Sequence, residues 1–491
     1  MSSFLRQFFA VQSVSRMPVG GEGRLRRALG PLALTAVGLG ATIGTGVFVF
    51  TGQVAAKHAG PALTLSLIVA AVVCALAALC YSEFASFVPV SGSAYSYAYA
   101  TLGEGIAWFI GWNLMLEYVL SASAVAVSWS AYVVNLLAGW GIHLPEVLTN
   151  APIDAHGKIT GAIINVPAIL IVAAMSWICY IGIKKASSIN SFMVYLKVGV
   201  IVLFVLVGMK YVDTSNWHPY IPENTGEKGH YGWSGIMTGA GLILFSYIGF
   251  DTASTTALES RNPKRDVPLG ILGALVISCI LYLAMAAVLT GMVPYTKLNV
   301  DEPVALAIDL HPGLAWVGTF VKIGIITGMT SVILMSLLGQ PRILLAMADD
   351  GLLPPAMSRC HERYKTPHVA TVVTGVFGAA VAGLFPLDAL ADLISIGILL
   401  AFAVVCAGVL ILRYTRPDHP RPFRVPFAPV TCTLGAVLCL ATTAFLSDET
   451  WIRLLIWTVL GFSIYGFYGY WHSRLHKAGR GRDGGAPASL K

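Results

Sequence analysis

The chain reads as an all-α polytopic membrane protein, and two observations lead there. Its 491 residues are 56% hydrophobic and only 11% charged, with a mean hydropathy of +0.75, far too little charge for a soluble surface of that size. The apolar residues also come in continuous runs of about 20 or more, the length a helix needs to cross ~30 Å of hydrocarbon. These runs do not alternate as the strands of a membrane barrel must.

Twelve such segments can be marked off, at 31–56, 62–88, 105–136, 164–182, 189–209, 234–255, 270–293, 314–340, 368–386, 389–412, 427–446 and 452–471. Of the 31 Lys and Arg residues, 23 fall on the side of the chain that holds both termini, 6 on the opposite side and 2, Lys197 and Lys322, within segments. The positive-inside rule therefore places both termini in the cytoplasm and the protein in the cell membrane. The same asymmetry accounts for the net charge of +7 without any nucleic-acid partner. Seven of the eight cysteines lie inside spans, so no disulfide framework is expected. Residues 1–29, which show no leader-like apolar stretch and cleavage site, are expected to form a cytoplasmic tail with "FLRQFFAV" (4–11) on the membrane surface, and 472–491 a second, polar tail. No Walker A sequence is present, which excludes a self-contained ATP-driven pump.

Two spans are interrupted by glycine. The first carries "GATIGTGVF" (40–48) and the sixth carries "GAGLILFSYIGFDTAST" (239–255). Four whole spans separate them. Corresponding breaks in two halves of five spans point to an inverted repeat, 30–210 and 234–413, with 427–471 as two further helices and a binding site at the midplane. Irregular backbone at that depth is tolerated only where it is buried in protein or lines a cavity. A break after Gly46, in the run Gly44, Thr45 and Gly46, would aim the first amides of a half-helix at a carboxylate. Freed carbonyls near Ile43 and at Phe245, Ser246 and Ile248 would receive an ammonium. Together these groups would hold an α-amino acid by its zwitterion. The competing explanation of Gly40 and Gly44, a small-residue packing face, does not account for the second break.

The motifs "GATIGTGVF", "FSYIGFD", "ESRNPKRDVP" (259–268), "GQPRILLAMADDGLLP" (339–354) and "RPFRVPFAP" (421–429) resemble the amino acid–polyamine–organocation superfamily. "GWNLMLEYVLSASAVAVSWS" (111–130) narrows this to the cationic amino acid transporter family and its bacterial homologues. The resemblance implies a LeuT-like 5+5 inverted repeat plus two helices, and proton-coupled amino acid uptake by alternating access. It further implies that Thr45 and Gly46 bind the carboxylate through backbone amides. Ile43, Phe245, Ser246 and Ile248 would take the amino group, Phe245 would act as a gate, and Met329 would line the side-chain pocket. Lys197 matches the fifth-span lysine that proton-coupled members place beside the unwound first span. Its ammonium would bond carbonyls around Gly40 and release them on losing its proton, with Glu117 as the acidic relay. Lys322, at similar depth by sequence, is expected near the outer end. Asp251 is expected to cap freed amides.

The expected function is a secondary active amino acid permease rather than an enzyme, carrying small neutral L-amino acids. Its expected partners are the amino acid substrate and membrane lipid. Neither a metal nor an organic cofactor is expected, and a proton is the coupling ion. A cationic substrate such as arginine, lysine or ornithine, or an amino acid sensor without turnover, are the alternatives, and a small membrane accessory subunit is left open. A channel would need a continuous polar stripe or filter, and neither is evident.

Overall fold

The structure, a computed structural model, describes residues 7–11, 29–87, 92–153, 158–227, 229–418, 420–444, 446 and 448–477. Helices occupy every apolar segment. They are α1 (Pro31–Thr42), α2 (Leu63–Phe87), α3 (Ala94–Thr101), α4 (Glu104–Gly139), α5 (Val166–Ile181), α6 (Ile183–Gly208) and α7 (Gly232–Ile243). There follow α8 (Pro263–Met292), α9 (Pro303–Asp309), α10 (Ala315–Asp349), α11 (His368–Leu384), α12 (Leu387–Thr415), α13 (Ala428–Thr443) and α14 (Asp448–Ile464). Among the described residues seven helical stretches are long and apolar enough to cross a membrane, and α1, α5, α11 and α13 are shorter apolar helices. The β pairing described amounts to two isolated bridges, Leu29 with Ser260 and Ile153 with Ile159.

The interruptions fall where glycine was expected to place them, with one shift. α1 stops at Thr42, Ile43 turns to an extended conformation (φ −80°, ψ 101°), and helix resumes at Gly46–Phe50 as a π-helical turn that runs into Thr51–Val54. The break thus precedes Gly46 rather than following it. The sixth segment runs as α7, tightens into a 3-10 turn at Leu244–Tyr247, opens at Gly249 (φ 118°) and resumes as Thr252–Thr255. Only a residue without Cβ accepts that φ cheaply.

Described residues from near the two ends of the chain meet at one face. The Gln7 amide donates to Glu104 Oε1 at 2.8 Å and to the Tyr470 carbonyl at 3.0 Å, and the Phe8 ring stacks on Phe462 at 6.2 Å. The described part of the "FLRQFFAV" segment therefore docks on the protein. It does not simply lie on lipid, because a buried carboxylate at the start of α4 offers it a stronger partner. Tyr99 and Tyr465 also donate to Glu104, each at 2.8 Å, as does Ser473. The tail beyond residue 477 lies outside the described residues.

Candidate functional site

Breaking a helix frees carbonyls that must find donors when buried. At the first break those donors come from three other helices. Lys197 of α6 is fully buried, and its Nζ donates to the Gly40 carbonyl at 3.0 Å, the Ile43 carbonyl at 2.8 Å and Ser331 Oγ of α10 at 2.7 Å. Tyr282 of α8 lies 2.9 Å from the Thr42 carbonyl and 2.8 Å from the Ser246 carbonyl. One hydroxyl carries one proton, so it donates to one break at a time while touching both. Asn190, two turns before Lys197 on α6, donates to the Ala36 carbonyl at 2.9 Å. A Cβ at Gly40 would stand 2.2 Å from its Oδ1, so this glycine makes room for the amide.

The two breaks touch. A Cβ built on Gly46 would lie 2.4 Å from Ser246 Cα, and one on Gly249 would lie 2.6 Å from the Ala41 carbonyl carbon. Ile43, Gly44, Thr45, Gly46, Ser246 and Ile248 are all buried there. The hydroxyls of Thr45 and Ser246 are buried and lack a hydrogen-bond partner. Two orphaned hydroxyls beside the first amides of a half-helix are groups a polar ligand would satisfy. The Ile43 and Ser246 carbonyls, expected to serve an ammonium, lie within hydrogen-bond reach of Lys197 and Tyr282. Their second lone pairs remain. The Phe245 side chain, and with it the gate expectation, lies outside the described residues.

Met329 is fully buried in α10, which excludes a lipid-facing position, and its neighbour Thr330 accepts from Trp129 Nε1 at 2.9 Å. Lys322 has a different setting: its Nζ pairs with Asp309 at 2.9 Å, and that carboxylate is 54% exposed. Depth in the sequence could not separate the two lysines, whereas burial and partners do.

Glu117 does not reach Lys197, whose three acceptors are two carbonyls and a hydroxyl. It lies instead with Asp251 on a cavity of about 10 Å³ lined also by Ala41, Ile248 and Gly249, on the margin of what one water needs. Glu117 Oε2 and Asp251 Oδ1 are buried without partners. The Asp251 carboxylate sits beside the amides of Gly249, Asp251 and Thr252 at the break, though its side chain makes no cap hydrogen bond to the short helix it precedes. It accepts from Tyr118 at 3.1 Å. The hydroxyl from α4 reaches it across the break, a tertiary contact no local pattern announces.

The family model for amino acid permeases matches residues 29–465. The chain belongs to the amino acid permease family. Among similar proteins, the permease resembles the branched-chain amino acid permease BcaP of Bacillus subtilis, at 44% identity over 93% of this chain and 96% of the relative. It is 43% identical to the methylthioribose transporter of the same organism, over 92% of this chain and 95% of the relative. It is 39% identical to the vacuolar cationic amino acid transporter 4 of Arabidopsis thaliana, over 85% of this chain and 68% of the relative. The permease is thus a membrane transporter and not an enzyme.

Proposed function

We propose that this permease takes up small neutral L-amino acids, including aliphatic ones, coupled to proton entry and by alternating access. The reading rests chiefly on one observation: two broken helices meet at Gly46 and Ser246 with the Thr45 and Ser246 hydroxyls buried and unpartnered. The substrate carboxylate would sit on the Gly44, Thr45 and Gly46 amides. Its ammonium would share the carbonyls of Ile43, Phe245, Ser246 and Ile248, and Met329 would face the side chain. The paired breaks support two five-span halves, 30–210 and 234–413, and the Lys and Arg asymmetry supports cytoplasmic termini.

Coupling is assigned to Lys197. Protonated, it holds the freed carbonyls of the first span; deprotonated, it loses a donor and loosens them, so that the half-helix can shift between access states. Glu117 would relay protons from the far side of the break, across the cavity it shares with Asp251.

The cationic reading has one observation in its favour, the acids Glu117 and Asp251 lining a cavity next to Ile248. At about 10 Å³ that cavity admits no amino acid side chain, charged or neutral, so it does not separate the two readings, and the likeness to a branched-chain amino acid permease favours neutral substrates. Methylthioribose, the cargo in one relative's name, has neither carboxylate nor ammonium and would use the site differently. A competition panel against labelled alanine in proteoliposomes separates these readings. Inhibition by valine and leucine but not arginine or methylthioribose is expected; inhibition by arginine alone would overturn the neutral assignment, and binding without flux would mark a sensor.

A further inference from the structure

We propose that Glu259 and Arg342 form the latch that closes the substrate site toward the end of the molecule carrying both termini, cytoplasmic in the orientation proposed above. The inference rests on the alternating-access reading. Glu259 ends the turn Ala257–Glu259 that follows the second half of the broken sixth span. Its Oε1 accepts from Arg342 Nε at 3.1 Å and Nη2 at 2.7 Å, with the two side chains 1% and 4% exposed. The remaining nitrogen, Nη1, donates to the Leu338 carbonyl of its own helix α10.

The main chain of Glu259 makes a second tie. Its carbonyl accepts from the Leu29 amide at 3.0 Å, and the Arg261 amide donates back to the Leu29 carbonyl at 2.8 Å. Leu29 lies two residues before α1. One residue therefore binds the start of the first broken span, the end of the sixth and the long helix α10. Just above, Ser254 Oγ donates to Ser93 Oγ at 3.1 Å, joining the same half-helix to the segment leading into α3. The two half-helices cannot part from α10 at this end while the pair stands.

An ion pair suits a contact that must both hold and release. Burying it costs desolvation nearly as large as the attraction, so it adds little net stability and serves chiefly to define one arrangement. On opening, both charges regain water, which an apolar contact of the same area would not tolerate. Glu259 Oε2 is buried without a partner, so the closed form is not held to the limit of what this carboxylate could make.

The test is a thiol reporter at Ser254→Cys, which is fully buried in this structure. A membrane-impermeant maleimide is added to the terminus-bearing face of membrane vesicles, and modification is followed at that peptide by mass spectrometry to separate it from the native cysteines. Adding Glu259→Gln should raise the labelling rate at least roughly fivefold by shifting the population toward the open form. Arg342→Lys, which keeps the charge and loses the fork, should raise it less. If Glu259→Gln does not reach the membrane folded, Arg342→Lys alone decides. Labelling at the parent rate in the folded variants overturns the latch. Absence of amino acid flux in the unmodified permease would sink the transport reading instead, and leave the labelling result standing.

Discussion

At the first break the carbonyls of Gly40, Thr42 and Ile43 are held by Lys197, Ser331 and Tyr282, side chains from α6, α10 and α8. At the sixth break the described side-chain tie is Tyr282 on Ser246, and the strain is taken by Gly249 at φ 118°. Both breaks are written with the same glycine-rich vocabulary, yet only the first is gripped by an amine that can lose a proton. The difference assigns them different work. The first half-helix is the part whose hold depends on the lysine's proton, and the sixth supplies the wall that faces it, latched at its far end by Glu259 and Arg342, with Asp251 tied to Tyr118 beneath it.

The largest expected effect attacks the wall where the breaks touch. Gly46→Val should abolish substrate binding, because its Cβ would fall 2.4 Å from the Ser246 main chain. Equilibrium binding of labelled alanine reads this directly, and wild-type affinity in that variant would contradict the contact. Tyr282→Phe comes next. It removes the one donor shared by the breaks and leaves buried carbonyls short of a partner, a cost of about 1–3 kcal/mol, or roughly five- to 150-fold in affinity. A variant that binds as wild type does would show that Tyr282 merely packs. Met329→Ser should change selectivity more than rate, improving longer or polar substrates relative to alanine in the competition panel. An unchanged profile would move the side-chain pocket elsewhere. The smallest effect belongs to Lys322→Gln, where a part-exposed pair with Asp309 is lost; uptake should stay within about twofold, as for exposed ion pairs worth about 0–1 kcal/mol.

What the sequence disclosed about these regions followed from constraints that act locally. Hydrocarbon thickness forces long apolar runs, and the cost of glycine in a helix makes Gly44, Gly46 and Gly249 conspicuous. A lysine in an apolar span is likewise conspicuous, which is why Lys197 could be singled out. The resemblance separated it from Lys322, and the tertiary structure supplies the physical reason, since equal depth along two helices says nothing of what each faces. Asn190, Tyr282 and Ser331 gave no signal because a polar residue of that size in an apolar run is ordinary, and its meaning lies in a carbonyl more than 30 residues away in the chain. Asp251 was legible only in part for the same reason: proximity to a break points to the nearby amides, while its further partner, Tyr118, sits on α4.

The most direct test of the account uses Lys197, because the contrast between the breaks depends on its proton. Proteoliposomes holding the wild-type permease or Lys197→Gln are given an inward proton gradient, and accumulation of labelled alanine is followed together with equilibrium binding. The account predicts that Lys197→Gln loses concentrative uptake at least roughly tenfold while retaining measurable binding, since an amide can still donate to the Gly40 and Ile43 carbonyls but cannot release them with a proton. Uptake by Lys197→Gln at the wild-type rate, to the wild-type concentration ratio, would contradict it.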